Sequence, residues 1–494
     1  MRRKTILILI NPARFWRWQK WVAEALDGDF EISFGRVENA PALPAGLRLL
    51  FSLEKLLYGG GDERGCDLLP GGDIPSLAAT ADKAELVIDF SGTRDRPAGC
   101  KTIVPAFDGI AGDMGAVSAL LEHRLPELGM FHEAGYSRLG LSANEEPLVL
   151  VRGLDQVFSR MAGLLPDFVR GRCRGQIEKK PQGSVPPVGA AALGFGLSTL
   201  SRKISARLRR LSVEAPRWAV GWRRIKGDAA YQTLSVSPDD FTRFRDDGQR
   251  YFADPFVFVH AGKTHVFCEE YPFATGRGLI SAFTIEADGR ASPARPVLER
   301  PYHLSYPFVF AHGGEIWMIP ESSASRTLEL YRAVEFPGKW VLERELLPGI
   351  QVDDATLHFG KNRLWLFGST RVFNSSSWDA LSLFSAPELM GEWTPHAANP
   401  VLCDARCARP GGALFAHDGA LWRVAQDCSR GYGSGLALAR ISRLDDGGFA
   451  QEDVRYLAPC PTSEGCRDLQ GMHTLNAAGG IEVIDMFGRF QDFT

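Results

Sequence analysis

Asp254, Tyr306, Asp353, Arg409 and His473 open five similar hairpins in the second half of the sequence. In each, an apolar strand leads through a glycine-containing turn to a second strand ending in an acid or amide, which supplies Glu269, Glu270, Glu321, Gln426, Asp427 and Asp485. Breaking a glycosidic bond takes two carboxyl groups roughly 5 to 9.5 Å apart, one to protonate the leaving oxygen and one to act as base or nucleophile. Asp254 is the candidate base or nucleophile, with Glu321 or Asp353 as its acid partner. Each also has a plainer reading, Asp254 as a cap on the strand before Pro255 and Glu321 as a loop anchor. Arg409 and His473 add positive or switchable donors, which suit a ligand bearing hydroxyls and a phosphate or carboxylate. The plainer reading of Arg409 is a buried ion pair with Asp427 or Glu321.

These residues are far apart in sequence, so the fold must bring them together. The hairpin openings recur roughly every 50 to 60 residues, the span of a four-stranded blade, and predict a five-bladed β-propeller whose inner strands converge on one funnel. Trp218 to Arg223 reads as an isolated strand that completes the last blade and removes its edges. Ahead of it, Ile6–Ile10, a helix from Trp16 to Leu26, Phe30–Phe34 and Glu85–Phe90 alternate as strand and helix. That pattern predicts a doubly wound parallel sheet with Asn11, Asp89 and Ser91 at strand ends. The expected fold is α/β plus all-β: a Rossmann-like domain over residues 1–170, a basic linker with an amphipathic helix over 171–215, and the propeller over 216–494.

Composition sets the bounds. At 494 residues and 45% hydrophobic content, two or three soluble domains are expected, and a net charge of −3 names no partner. The charge is uneven: residues 171–226 carry about +11, leaving about −14 elsewhere. Within that stretch Leu193, Leu197, Leu200, Ile204, Leu208 and Leu211 form one helical face beside Arg202, Lys203, Arg207, Arg209 and Arg210. Such a helix either packs against protein, the favoured expectation, or makes a peripheral membrane contact through residues 193–211. No run approaches the roughly 18 apolar residues of a membrane span, and Ile6–Ile10 is too short for a secretion signal, so a cytoplasmic protein is expected. Among the nine cysteines, Cys403-x3-Cys407 and Cys460-x5-Cys466 lack the spacing and histidines of a zinc site, so unpaired thiols, no metal and no cofactor are expected. Gly59-Gly60-Gly61-Asp62 lacks the ending of a phosphate loop, and Trp16, Trp18 and Trp21 read as helix packing; no nucleic acid is expected as a partner.

The stretches Ala253-Asp254-Pro255-Phe256, Tyr302 to Phe310, Trp317-Met318-Ile319-Pro320-Glu321, Leu330 to Ala333, Val352-Asp353, Arg409-Pro410 and Trp422 to Asp427 resemble the amino-terminal module of glucosamine inositol phosphorylceramide transferases. The resemblance implies a five-bladed propeller of the arabinanase and invertase type, in which an Ala-Asp-Pro on the first blade carries a catalytic Asp. Tyr306 stands where an acid of that hydrolase pattern would fall. Glu270, His303, Tyr306, Arg409, Gln426, Asp427 and His473 form the expected substrate-contacting set. In the plant-type transferases, sugar transfer is attributed to a separate carboxy-terminal domain, and no counterpart of it is expected in this sequence. The implied function is therefore hydrolysis or transfer at a glycosidic bond, or glycan binding beside separate glycosyltransferases. The implied partner is a glycan, a glycolipid head group or a nucleotide sugar. Residues 1–170 resemble the formyltransferase-type Rossmann domain, yet the family's His-x-Ser-Leu-Leu-Pro stretch is missing and only His123 and His132 occur there. A degenerate or repurposed site is expected.

Overall fold

The computed structural model describes residues 3–37, 41–58, 63–71, 84–92, 99–173, 175–180, 182–185, 187–210, 215–226, 229–233, 236–237, 240–459 and 466–490. The glycine run at 59–62, Cys460, and the side chains of Cys466, Leu208, Arg209, Arg210 and Leu211 lie outside the described residues. The chain forms two compact units, Met1–Ser212 with Val372–Ser376, and Val213–Arg371 with Ser377–Thr494.

In the first unit β1 (Thr5–Ile10), β2 (Glu31–Arg36), β3 (Leu86–Asp89) and β4 (Lys101–Phe107) run parallel in the order β2-β1-β3-β4. β1 is buried along its whole length, hence its continuous apolar run without alternation. α1 (Arg17–Asp27) buries Trp18, Val22 and Leu26 at four-residue steps, the face of a helix lying on a sheet. β5 (Ile110–Ala111) pairs with β4, and the sheet then turns antiparallel through β6 (Glu127–His132), β7 (Gly135–Leu141) and β8 (Gln176–Glu178). The polar strand ends serve the local backbone. Asn11 Oδ1 accepts the Ala13 N–H at 2.9 Å, and Asp89 Oδ1 accepts the Ser91 N–H at 2.9 Å and the Ser91 hydroxyl at 2.5 Å.

Among the described residues this unit also contains α2 (Ala45–Tyr58), α3 (Met114–Leu121), α4 (Leu150–Val169) and α5 (Val188–Arg210). Buried Glu54 of α2 accepts the Leu150 and Val151 N–H groups at 3.1 and 2.8 Å, setting a carboxylate on the unsatisfied donors at the start of α4. On α5 the expectation of an apolar stripe packed against protein is corrected. Leu193, Leu197, Leu200 and Ile204 are exposed, and Val188, Ala192 and Phe195 are buried instead. The cause is the close approach of the backbones. A Cβ added to Gly46 of α2 would lie 2.8 Å from the Gly189 carbonyl oxygen, so only the small-residue face of α5 fits and its leucines turn outward.

The second unit is a propeller-like arrangement of antiparallel blades. β9 (Arg217–Arg224) and β10 (Thr242–Arg243) come first. Then β11 (Arg250–His260), β12 (Lys263–Pro272), β13 (Leu279–Ile285) and β14 (Arg295–Leu298) form one blade, and β15 (Ser305–His312), β16 (Glu315–Glu321), β17 (Glu329–Glu335) and β18 (Lys339–Glu345) the next. β19 (Val352–Phe359), β20 (Leu364–Thr370) and β21 (Ala380–Ala386) pair in the same antiparallel manner, with β22 (Thr394–Pro395) and β23 (Leu402–Asp404) on β21. Another blade comprises β24 (Phe415–His417), β25 (Ala420–Asp427), β26 (Gly435–Asp445) and β27 (Gly448–Leu457). β28 (Cys466–Gly471), β29 (Leu475–Ala478) and β30 (Ile481–Phe490) join β9 and β10 in the closing one.

Four blades are therefore free-standing sheets where the hairpin spacing predicts five. The third hairpin does not make a sheet of its own; its β21 carries two short strands, one containing Pro395, in place of a full fourth strand. β9 pairs with β30 along its length, Val220 opposite Asp485.

Three inner strands share one irregularity that decides where the site lies. The ladder jumps between Ala253 and Phe256 on β11, between Ser305 and Phe308 on β15, and between Asp353 and Thr356 on β19. Each jump inserts one residue, a bulge that bends the strand and re-aims a side chain. The residues within the bulges, Asp254, Tyr306 and Asp354, have φ of 50°, 44° and 54°. Pro255 and Pro307 follow the first two, where no ladder donor is needed.

β9 contributes Trp222 to a core with Phe244, Phe252 and Phe283. Trp222→Ala should destabilise the second unit by about 3 to 5 kcal/mol, the usual range for emptying a large aromatic site, as read by denaturant unfolding. A loss below about 1 kcal/mol would mean that β9 does not close this blade in solution.

Candidate functional site

Asp254, held in its bulge, is 2% exposed and has partners on both carboxylate oxygens. His473 Nε2 lies 2.9 Å from Oδ1, which also accepts the Thr474 hydroxyl at 2.8 Å, and Oδ2 accepts the Tyr306 N–H at 3.3 Å. The other imidazole nitrogen, Nδ1, lies 2.8 Å from Asp485 Oδ2, off the line of a hydrogen bond. Asp485 is tied in turn to the backbone: Oδ1 accepts the His473 and Thr474 N–H groups, both at 2.9 Å, and Oδ2 that of Asp254 at 3.0 Å. Burial disfavours the charged form of Asp254, but the charge and hydrogen bond of His473 outweigh it and hold the carboxyl below its usual range. Burial likewise opposes the imidazolium, and the two carboxylates override it, raising His473 well above an ordinary histidine.

A second cluster centres on Arg409, which is 5% exposed. Its Nε donates to Asp354 Oδ2 at 2.6 Å, Nη1 to Ser377 Oγ at 2.9 Å and Asp353 Oδ2 at 3.4 Å, and Nη2 to Glu321 Oε2 at 3.5 Å. Gln426 Nε2 donates to the same Asp354 oxygen at 2.6 Å, and the Asp354 N–H donates to Glu321 Oε2 at 3.2 Å. Burial and the adjacent Asp354 charge push Glu321 up to about 8, against the pull of Arg409. Burial also raises Asp353 and Asp354. Glu269 is raised well above its usual range by burial and by Asp254. Two buried acceptors, Glu269 Oε1 and Asp353 Oδ1, have no hydrogen-bond donor among the described residues.

The structure places the sequence-predicted residues unevenly. Asp254 and His473 meet directly, and Glu321, Asp353, Arg409 and Gln426 share the second cluster. Arg409 takes its plainer reading, with all three nitrogens facing carboxylates or Ser377; its acid partners are Glu321, Asp353 and Asp354, while Asp427 caps the Ser429 N–H at 2.9 Å. Tyr306 turns its hydroxyl to Thr356 Oγ1 at 2.9 Å and is fully buried, so it braces Asp254 from the backbone rather than meeting a ligand. Glu270 does not join the acids: it binds Arg250 and accepts the Ser281 hydroxyl at 2.5 Å. Its neighbour Glu269, one step along the strand and on the opposite face, is the one electrostatically linked to Asp254. His303 stands beside Glu269, 3.4 Å from Oε1, with Nδ1 accepting the Gly278 N–H at 3.0 Å.

Three residues of the site escape the choice made from sequence: Asp354, Asp485 and Glu269. The signal for Asp354 was present, since Asp353-Asp354-Ala355-Thr356 aligns with Ala253-Asp254-Pro255-Phe256 and puts Asp354, not Asp353, at the bulge. A rim of aromatic rings is also revealed. Trp218 lies 4.1 Å from the His473 ring, Tyr432 5.2 Å from it, and Trp378 5.6 Å from Tyr432. The Arg409 guanidinium sits 5.3 Å from the centre of the Tyr432 ring, and Tyr432 is 39% exposed.

Ligand atoms of Asp254, His473 and Asp485 lie within 4.8 Å of one another, close enough to grip a cation. The imidazole, however, has each nitrogen set against a carboxylate, an arrangement that a proton satisfies. A metal would have to displace it.

Residues 244–474 match one family model. Its description is the N-terminal part of glucosamine inositolphosphorylceramide transferase 1. The matched stretch contains Asp254, Glu321, Arg409 and His473 and omits Asp485. Curated proteins of that name are similar to this chain: the one from Arabidopsis thaliana is 35% identical over 210 residues, which is 42% of this chain and 27% of that protein. The one from Oryza sativa subsp. japonica is 33% identical over 198 residues, 39% of this chain and 26% of its own length. The chain thus spans about a quarter of these relatives. Among solved structures, RS223-Beta-xylosidase aligns with 49% of this chain and 96% of its own at 12% identity and a TM-score of 0.37. A family 117 glycoside hydrolase from Zobellia galactanivorans aligns with 57% and 92% at 13% identity and a TM-score of 0.35.

Glu321 gives a pH test. Its folded pKa of about 8 lies above the ordinary 4.5, so the folded state holds the extra proton between these values. The resulting stability is complete below about pH 4.5 and is lost as pH rises through about 8, with a slope of at most about 1.4 kcal/mol per pH unit from this group. Denaturant unfolding of Glu321→Gln between pH 5 and 8 should lack that slope. A variant whose pH profile parallels the wild type would show that Glu321 ionises normally.

Proposed function

We propose that this protein acts on a glycan or glycolipid head group, hydrolysing or transferring at a glycosidic bond, with Asp254 as base or nucleophile and Glu321 as proton donor. The observation that carries this reading is the opposed titration of two carboxyl groups, one in each buried cluster, that feel each other's charge. His473 keeps Asp254 ionised, while burial and Asp354 leave Glu321 protonated near neutral pH. An acid and a base held apart by their surroundings are what glycosidic cleavage requires. Asp353 is the alternative donor. The half-exposed rings of Tyr432, Trp218 and Trp378 offer apolar faces on which a sugar ring could lie. The names of the matched relatives join glucosamine to a phosphorylated inositol lipid, and support a glycolipid head group as the substrate class.

In the same reading the second unit is a five-bladed propeller, with β19–β21 as the third blade. The domains are then 1–170, Rossmann-like and degenerate relative to formyltransferases, a basic linker over 171–215, and 216–494. A nucleotide sugar is the donor to test if the reaction is transfer, and the setting proposed is cytoplasmic.

One observation favours a second reading, that of a glycan-binding propeller without turnover. Both oxygens of Asp254 are engaged by Thr474, His473 and the Tyr306 N–H, which restrains a base. Asp254→Asn separates the two. If Asp254 is the base or nucleophile, turnover falls by at least about a hundredfold with little change in affinity. In a binder the same change weakens affinity by about 1.5 to 3 kcal/mol and there is no turnover to lose. Glycans and nucleotide sugars that raise the melting temperature supply ligands for titration beside product analysis. A wild-type protein that binds a glycan and never releases product would exclude the enzyme.

A further inference from the structure

The first unit carries eight large aliphatic side chains in solvent on two adjacent helices. On α2 these are Leu49, Leu53, Leu56 and Leu57, with Leu56 81% exposed; on α5 they are Leu193, Leu197, Leu200 and Ile204, with Leu197 71% exposed. Both sets follow the spacing of one helical face. The helices run side by side in the same direction. Gly46 abuts Gly189 and Leu193 at one end, Gly196 meets Leu50 midway, and the Lys203 ammonium lies 4.4 Å from the centre of the Tyr58 ring at the other. The two stripes therefore belong to one surface. Monomeric proteins seldom expose so many contiguous leucines unless something covers them.

The charges on these helices point to the cover. Arg48, Arg202 and Arg207 are exposed and Lys55 and Lys203 half-buried, all basic. The one acid on either helix is Glu54, and its carboxylate is buried against the start of α4. A second copy of the chain would bring the same basic rim against itself, which like-charge repulsion opposes. An anionic lipid surface meets both requirements, taking leucines into the acyl boundary and arginines onto phosphates. Among the described residues no helix is long and apolar enough to cross a membrane, so contact would be in the plane of the surface.

We propose that α2 and α5 together form a docking face for an anionic bilayer surface. This is independent of the chemistry assigned to the second unit.

Co-sedimentation with phosphatidylcholine vesicles containing one-third phosphatidylserine, at low and high salt, tests it on the full chain. The wild type should pellet with these vesicles at low salt, and at least about tenfold less with pure phosphatidylcholine or at high salt. Leu56→Glu combined with Leu197→Glu should lose binding by at least about tenfold with an unchanged melting temperature, since both side chains already stand in water. Arg202→Glu with Arg207→Glu should remove the preference for phosphatidylserine. The proposal is overturned if the wild type stays in the supernatant or if the double leucine variant binds as well as the wild type. A dimer that the leucine changes dissociate would overturn it too, making a second copy the occupant.

Discussion

Five buried carboxyl groups, those of Asp254, Glu269, Asp353, Asp354 and Asp485, and the largely buried Glu321 gather around two buried cations, Arg409 and His473. If every acid were ionised the cluster would carry four uncompensated charges away from water, and no packing elsewhere in the unit could offset that. The acids therefore divide. Asp254 keeps its charge by holding the imidazolium, and Glu321, Glu269, Asp353 and Asp354 are driven toward their neutral forms. Because the groups come from different blades, the cations also serve as ties. Arg409 joins residues of β16 and β19, and His473 draws Asp254 of β11 toward Asp485 of β30.

The one-residue bulges are the geometric counterpart of that constraint. Without the inserted residue, Asp254, Tyr306 and Asp354 would keep the ladder's alternation, and their backbone N–H groups could not be donated to Asp485, Asp254 and Glu321 in succession. A left-handed conformation is costly for a residue as bulky as Tyr306, and strain of this sort concentrates where function needs it. The family match, residues 244–474, takes in all three bulges and leaves out both partners of the β9–β30 pair. The family match thus covers Asp254, Glu321, Asp353, Asp354 and His473, but not Asp485 beneath the imidazole.

The hairpins were legible because period-two apolar strands around glycine turns leave an unambiguous trace, and their spacing brought Asp254 and His473 to one place. The choice between neighbours was not. Asp353 against Asp354, and Glu270 against Glu269, each turn on a single step of strand register, which residue type alone does not fix. The third hairpin does not stand as a separate sheet, and the short β22 and β23 on its edge leave little trace in the sequence. On α5 the periodicity identified the leucine face correctly, yet the packed face was the unobtrusive one of Gly189, Ala192 and Gly196. A hydrophobic pattern states which side is apolar, and closeness of approach decides which side is inside.

The pairing of β9 with β30 bears on how the protein is made. Val220 emerges from the ribosome some 260 residues before Asp485, its partner across the ladder. At ordinary elongation rates that is a wait of roughly 10 to 50 s, during which β9 presents an unsatisfied edge with Trp218 and Trp222 nearby. Throughout that interval β9 lacks its partner on this side, and the arrival of β30 is what ends the exposure.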